Sequence, residues 1–306
     1  MSGSTRTPAT VDSLDEVAQP GLSAPALAAL VAGAGVYGVW WGAVNTATGQ
    51  RLDHLAFLGS KIGSWRVSDE AMRLLDMVSV PAVAVAVAVV MLIALLRRRW
   101  ALSLLAAGVV IGANLTSQAL KNWVFTREDL IDLGPYGGLA NSLPSGHTTV
   151  AASAAVAALL VVPAALRAVT AGLGVVIVTA FGFATLVGQW HRASDAIAAV
   201  LVAASWAFAG VVAARIATRL QHREVAARPD AFTVILLLVG LIGVGVAGLA
   251  GLINWSVPIE AATRTNLFLA YLGGVAALTG VTCACFGMLL RMVEVSRPAG
   301  RPADQG

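Results

Sequence analysis

The sequence predicts an all-α integral membrane protein. Three observations carry that prediction: an apolar composition, eight apolar runs of bilayer length, and arginines gathered at alternate ends of those runs. Of the 306 residues, 58% are hydrophobic and 12% charged, with a mean hydropathy of +0.81. Soluble domains usually carry about 25% charged residues, because their surfaces must be hydrated. A chain this apolar cannot cover itself with polar groups, so much of its solvent is lipid. The formal net charge of +4 therefore belongs to individual loops and does not mark a nucleic-acid partner. Arginine outnumbers lysine 18 to 2. That ratio reads as coding bias, yet it makes Lys121 one of two lysines in the chain.

A hydrocarbon core about 30 Å thick is crossed by ~20 helical residues. Runs of that kind occupy 26–45, 77–96, 101–120, 147–166, 168–189, 196–214, 231–253 and 267–290. Many hold Gly and Ala, as transmembrane helices do where backbones approach closely. Gly243, Ala247 and Gly251 form a small-xxx-small stripe suited to helix contact. Cys283 and Cys285 sit two apart, on different faces of a helix, so they read as packing residues and not as a disulfide or metal pair. Residues 1–24 are polar, read as a disordered tail, and show no cleavable signal peptide.

Arginine placement orients the spans. Arg97, Arg98 and Arg99, then Arg167, then Arg215, Arg219, Arg223 and Arg228, and finally Arg291, Arg297 and Arg301 all fall on one side if the runs alternate. That side is expected to be cytoplasmic, with both termini inside. Trp100, Trp123, Trp190 and Trp255 lie near run ends, as interfacial tryptophans do. Segment 46–76 holds no spanning run. Its Ser68-Asp69-Glu70 stretch suits the start of a short interfacial helix with acids at its N-terminus, and a solvated connector fits it equally well.

The residues that carry chemistry fall in two loops on the other, outer side. The first runs from Lys121 through Arg127 and on to Asn141-Ser142-Leu143-Pro144-Ser145-Gly146-His147. The second is Gly188-Gln189-Trp190-His191-Arg192-Ala193-Ser194-Asp195. In Pro144-Ser145-Gly146-His147, proline stops the chain, serine caps, glycine exposes its backbone, and an apolar helix follows. The first turn of such a helix has free N–H groups and the positive end of the dipole, which suits an anion. Lys121 and Arg127 can add full charges. Asp195, four positions after His191, can accept the imidazole Nδ1–H and leave Nε2 nucleophilic. His147 would face the same cavity and can protonate a leaving oxygen. His54 and His222 lack such company, and His222 reads as a solvated loop residue.

Residues 121–195 resemble the type 2 phosphatidic acid phosphatase (PAP2) superfamily, which shares its helical core with vanadium haloperoxidases. That family carries a Lys…Arg-Pro element, a Pro-Ser-Gly-His element and a Ser-Arg…His-x-x-x-Asp element. Pro144-Ser145-Gly146-His147 matches the second, His191 and Asp195 match the end of the third, and Lys121 and Arg127 match the first loosely. The resemblance implies a six-helix core over roughly 25–215. It also implies His191 as a nucleophile forming phosphohistidine, Asp195 orienting it, and His147 as the acid. Lys121, Arg127 and the amides around Ser145 and Gly146 would hold the phosphoryl oxygens, with no cofactor and no metal. A basic linker at 216–230, a two-helix extension at 231–290 and a cytoplasmic tail at 291–306 complete the expected organisation.

The chain departs from the family pattern twice. Five residues, not six, separate Lys121 from Arg127, and Glu128 follows instead of proline. The third-element arginine, expected six positions before His191, is Thr185; Arg192 is the candidate to supply its charge. The expected activity is hydrolysis of a lipid phosphate or diphosphate at the outer face. The alternative is a non-catalytic lipid-phosphate-binding or structural protein of the same fold. A transporter would show interrupted helices and mid-membrane charges, which the sequence lacks, and a haloperoxidase would need the missing arginine.

Overall fold

The computed structural model describes residues 21–62, 100–133, 141–218 and 230–294, with single positions at 64, 69, 73, 88, 89 and 92. Apart from those single positions, the Ser68-Asp69-Glu70 stretch, the expected span at 77–96, the Arg97–Arg99 turn, His222 and most of both tails and the basic linker lie outside these residues. The described residues form eight α-helices and no strand. They are α1 Ser23–Val44, α2 Ala47–Gly59, α3 Trp100–Ala119, α4 Gly146–Val161, α5 Arg167–Val187, α6 Ala193–Thr218, α7 Ala231–Ile253 and α8 Arg264–Glu294.

Among the described residues, six stretches are long and apolar enough to cross a membrane: α1, α3 with its terminal turn, α5, α6, α7 and α8. The chain is thus a multi-pass membrane protein by helix length and composition. The run at 147–166 does not continue as one span. Its helix stops at Val161, Val162 turns extended, and Ala164–Leu166 forms a 3-10 turn. Pro163 explains the break, because proline disfavours helical geometry in the residue before it and cannot donate to the ladder.

α6 is the central strut, packing against α1, α2, α3, α4, α5 and α8. Its Ala198, Ala203 and Ala207 are fully buried, small side chains that let neighbouring helices close in. At one end of the bundle Arg215 donates to the carbonyls of Gly21 at 2.7 Å and Met292 at 2.8 Å, and Arg167 donates to that of Val293. These arginines meet the carbonyl end of α8, where positive charge is favoured. The ends of α3 and α5 and the starts of α4 and α6 gather at the opposite end.

Within 46–76, residues 47–59 form a buried helix. Thr46 caps α2 by accepting from Gly49 N at 3.0 Å. Gln50, Asp53, His54, Leu55 and Ala56 are all buried. Two glycines let α2 sit this close to its neighbours. A Cβ on Gly49 would lie 1.7 Å from the Gly42 carbonyl oxygen, and one on Gly59 would lie 2.0 Å from that of Leu267.

The predicted small-residue stripe is real but rotated. Gly240 and Gly243 press on Gly280, and Ala247 lies beside Gly273, whereas Gly251 faces open space. Gly280→Leu should over-pack this α7–α8 seam and destabilise the protein by ~1–3 kcal/mol. Gly248→Leu, with nothing within 4 Å of its Cβ position, should leave the melting temperature in detergent unchanged. Equal melting of both variants would dismiss the seam as a stabilising contact.

Candidate active site

α3 ends in a π-helical turn, Leu120–Val124, closed by Phe125 N donating to Leu120 O at 2.8 Å. Such turns recur at functional sites, and this one carries Lys121. The loop after it is held from α1 and α2. Trp40 stacks on Phe125 at 4.8 Å and donates Nε1–H to Thr126 O at 3.1 Å. Gln50 donates to Glu128 O at 2.6 Å and accepts from Leu130 N at 3.2 Å. These bonds fix Arg127 between them.

Asn141 ties the second element to the first, donating to the carbonyls of Lys121 and Phe125, both at 2.9 Å. The Leu143–Pro144 peptide is cis. Ser145 caps α4, its Oγ accepting from Thr148 N at 3.4 Å and Thr148 Oγ1 at 3.1 Å, while its own N–H donates to Asp195 O at 2.9 Å. The amide and hydroxyl of Ser145 are therefore occupied by the fold. Gly146 and His147 stand at the open end of the helix, where backbone N–H groups lack intrahelical partners.

The third element turns sharply between α5 and α6. Gln189 adopts φ 60°, a left-handed conformation uncommon outside glycine. Its side chain is anchored by donating to Phe57 O at 3.0 Å and Ser60 Oγ at 2.6 Å. Trp190 N and His191 N both donate to Thr185 O, at 3.0 and 3.1 Å. Thr185, standing where the family arginine is expected, is fully buried and bonds its hydroxyl to Gly182 O. Its carbonyl shapes the turn that presents His191.

Asp195 lies in the first turn of α6 and is 0% exposed. Its Oδ2 accepts from Ser142 Oγ at 2.6 Å and Arg192 N at 2.9 Å, and faces His191 Nδ1 at 3.2 Å. A carboxylate there favours the Nδ1–H tautomer and leaves Nε2 with a free lone pair. The His147 ring lies 5.3 Å from that of Trp190, the residue before His191. His191 and Lys121 both lie within electrostatic range of His147.

Arg127 and Arg192 turn toward α2. The Arg127 side chain is 3% exposed, with Nη2 3.8 Å from Asp195 Oδ1 and 3.9 Å from Asp53 Oδ2. Asp53 accepts from Ser194 N at 3.2 Å and Ser194 Oγ at 2.6 Å. Burial pushes the Asp53 carboxyl above its ordinary value, opposed by Arg127 and the Ser194 hydroxyl. The Arg192 guanidinium sits 5.2 Å above the Phe57 ring, and burial, then Arg127, pull it below its usual range.

The fold brings Lys121 and His191 near Asp195 and His147, with Gly146 at the start of α4, and places Ser145 in the cap. The contributors not singled out from sequence are Ser142, Gln50, Asp53 and His54. His54 is not isolated: it is buried near Arg192, Lys61 and Arg127. One signal was available, because Gln50, Asp53 and His54 share the i, i+3, i+4 spacing of a single helix face. Among the described residues no three His, Cys, Asp or Glu side chains are grouped to hold a metal ion.

The family model of the PAP2 superfamily matches residues 115–219. This segment, which runs from late α3 through α6 and contains the residues of all three elements, is similar to that superfamily. No curated protein and no solved structure matches the chain.

His54 makes stability depend on pH. Burial first, then the charges of Arg192, Lys61 and Arg127, hold its value down at about 4, against an ordinary 6.5. On acidification the unfolded chain takes up this proton first, so His54 favours the fold fully above about 6.5 and loses that contribution as pH falls toward 4. The melting temperature should drop between pH 7 and pH 5, and His54→Gln should drop less. Parallel slopes would exclude His54 as the titrating group.

Proposed function

We propose that the protein is a membrane phosphatase of PAP2 type, hydrolysing a lipid phosphate or diphosphate at the outer face of the cell membrane. The observation that carries this reading is the His191–Asp195 contact at the buried start of α6, beside the open end of α4. A binding protein has no need of an oriented imidazole.

In this mechanism His191 Nε2 attacks phosphorus and the phosphorus–oxygen bond to the leaving group breaks. His147 donates its proton to the departing oxygen. Asp195 holds Nδ1–H and stabilises the charge that develops on the ring. Water, giving a proton to His147, then attacks the phosphohistidine. Phosphate departs and both imidazoles return to their starting states. Lys121 and the amides at Gly146 and His147 hold the phosphoryl oxygens, with the positive end of the α4 dipole beneath them. Arg127 and Arg192 add positive potential from the α2 side, in place of the cation missing at Thr185.

Two features support a lipid substrate and outward processing. A cavity of about 560 Å³ is lined mainly by small apolar residues of α1, α2, α6, α7 and α8, including Gly42, Ala193 and Gly273. It touches Asp53 and Ser194 and suits a hydrocarbon chain. Arg167 and Arg215 gather at the opposite end of the bundle, as arginines do at a cytoplasmic face. The rival reading, a lipid-phosphate-binding relative, draws on Thr185. Loss of one preorganised stabiliser costs ~10²–10³ in rate, whereas phosphate-monoester enzymes reach accelerations of ~10²¹, so activity can survive that loss.

Purified protein in mixed micelles should release phosphate from at least one of phosphatidate, phosphatidylglycerol phosphate and a prenyl diphosphate. Long-chain substrates should show lower KM than short-chain ones. His191→Ala should fall to background, and Lys121→Ala should lose about 10²–10³ in kcat. Wild-type rates equal to those of His191→Ala on every substrate would leave only the binding reading.

A further inference from the structure

Resting on the phosphatase reading, we propose that Asp53, on a helix outside the family-matched segment, is a positioning residue for the His191–Asp195 pair, acting through Arg127 and Ser194. Arg127 Nη2 sits almost midway between two carboxylates, 3.9 Å from Asp53 Oδ2 and 3.8 Å from Asp195 Oδ1. Neither separation is a hydrogen bond. Asp195 Oδ1 and the Nε and Nη2 of Arg127 are buried with no hydrogen-bond partner among the described residues. Unmade bonds of this kind are costly, and closing the last ångström between Arg127 and Asp195 would remove the cost. Two restraints from α2 oppose that closure. Gln50 holds the loop backbone at Glu128 and Leu130, and Asp53 attracts the guanidinium from the other side.

The consequence falls on the nucleophile. While Arg127 stays between the carboxylates, Asp195 keeps its charge for the Oδ2 contact to His191 Nδ1. With Asp53 neutral, Arg127 would pair with Asp195 Oδ1, the hold on Nδ1–H would weaken, and Nε2 would become less basic. Loss of the Asp53 charge itself acts in the same direction. The second route is mechanical. Asp53 accepts both the N–H and the hydroxyl of Ser194, capping the first turn of α6 from another helix and setting the rotation at which Asp195 emerges. The charged and titratable groups around the pair are Lys121 at the end of α3, Arg127 after it, His147 on α4, Arg192 on the same turn, and Asp53 and His54 on α2.

The test is the pH profile of kcat/KM on whichever lipid phosphate the wild type turns over, for folded Asp53→Asn, Asp53→Glu, Ser194→Ala, Arg127→Gln and the Asp53→Asn/Arg127→Gln pair. Asp53→Asn should lose about 10- to 100-fold in kcat, the scale of a misplaced reacting group, with KM within about twofold. Its acid limb should move to lower pH, and Asp53→Glu should recover part of the loss. The double variant should lose less than the sum of the two single effects, as coupled residues do. A wild-type kcat and acid limb in Asp53→Asn would overturn the proposal, and strict additivity with Arg127→Gln would overturn the route through Arg127. If Asp53→Asn fails to fold, Ser194→Ala decides. A shift in the same direction supports the role, and an unmoved profile overturns it. Failure of the phosphatase reading itself looks different: wild type and His191→Ala would then be equal on every substrate.

Discussion

A carboxylate with no exposure to water governs this site. Asp195 is sealed at the start of α6, where an uncompensated charge would cost several kcal/mol. The chain compensates it with groups from three separate stretches: the Ser142 hydroxyl before α4, the His191 ring and Arg192 amide between α5 and α6, and the Arg127 charge beyond α3. Its backbone carbonyl also receives the Ser145 amide. Satisfying one buried acid therefore draws the His191 imidazole and the N-terminal end of α4 to the same place. The requirement of stability and the requirement of geometry coincide in a single residue.

α2 extends that arrangement beyond the superfamily segment. Gln50, Asp53, Phe57 and Ser60, at successive turns, hold the Arg127 loop, the start of α6, the Arg192 guanidinium and the Gln189 turn. The helix itself is pressed between α1 and α8 through Gly49 and Gly59. The two C-terminal helices thereby acquire a connection to the site, since α8 packs directly against α2.

How much of this was legible depends on the range of the interaction. Membrane helices are written locally in composition, and α1, α3, α5, α6, α7 and α8 stand close to the predicted runs. The run at 147–166 was read too long because hydropathy continues through Pro163 while helical geometry does not. His191 and Asp195 were readable because four positions suffice to bring them together, and the Ser145 cap because capping is a local pattern. Asp53 and Ser194 lie 141 positions apart, and no short-range rule links them. α2 was hidden for a related reason: it is too short and polar to read as a span, yet its polar residues Gln50, Asp53 and His54 face protein. Arg127 shows the same limit, because its residue type announces a cation while only the tertiary fold reveals two carboxylates flanking it.

The position of α2 bears on how this helical unit can be divided. Residues 115–219 carry every recognisable signature, yet a protein trimmed to them would leave Ser194 without its acceptor and Arg127 with one carboxylate instead of two. A chimera exchanging only that stretch into another scaffold would inherit the reacting groups without the brace that sets them. The braced unit extends back through α1 and forward through α8, because the brace is itself held by helices on either side of the shared segment.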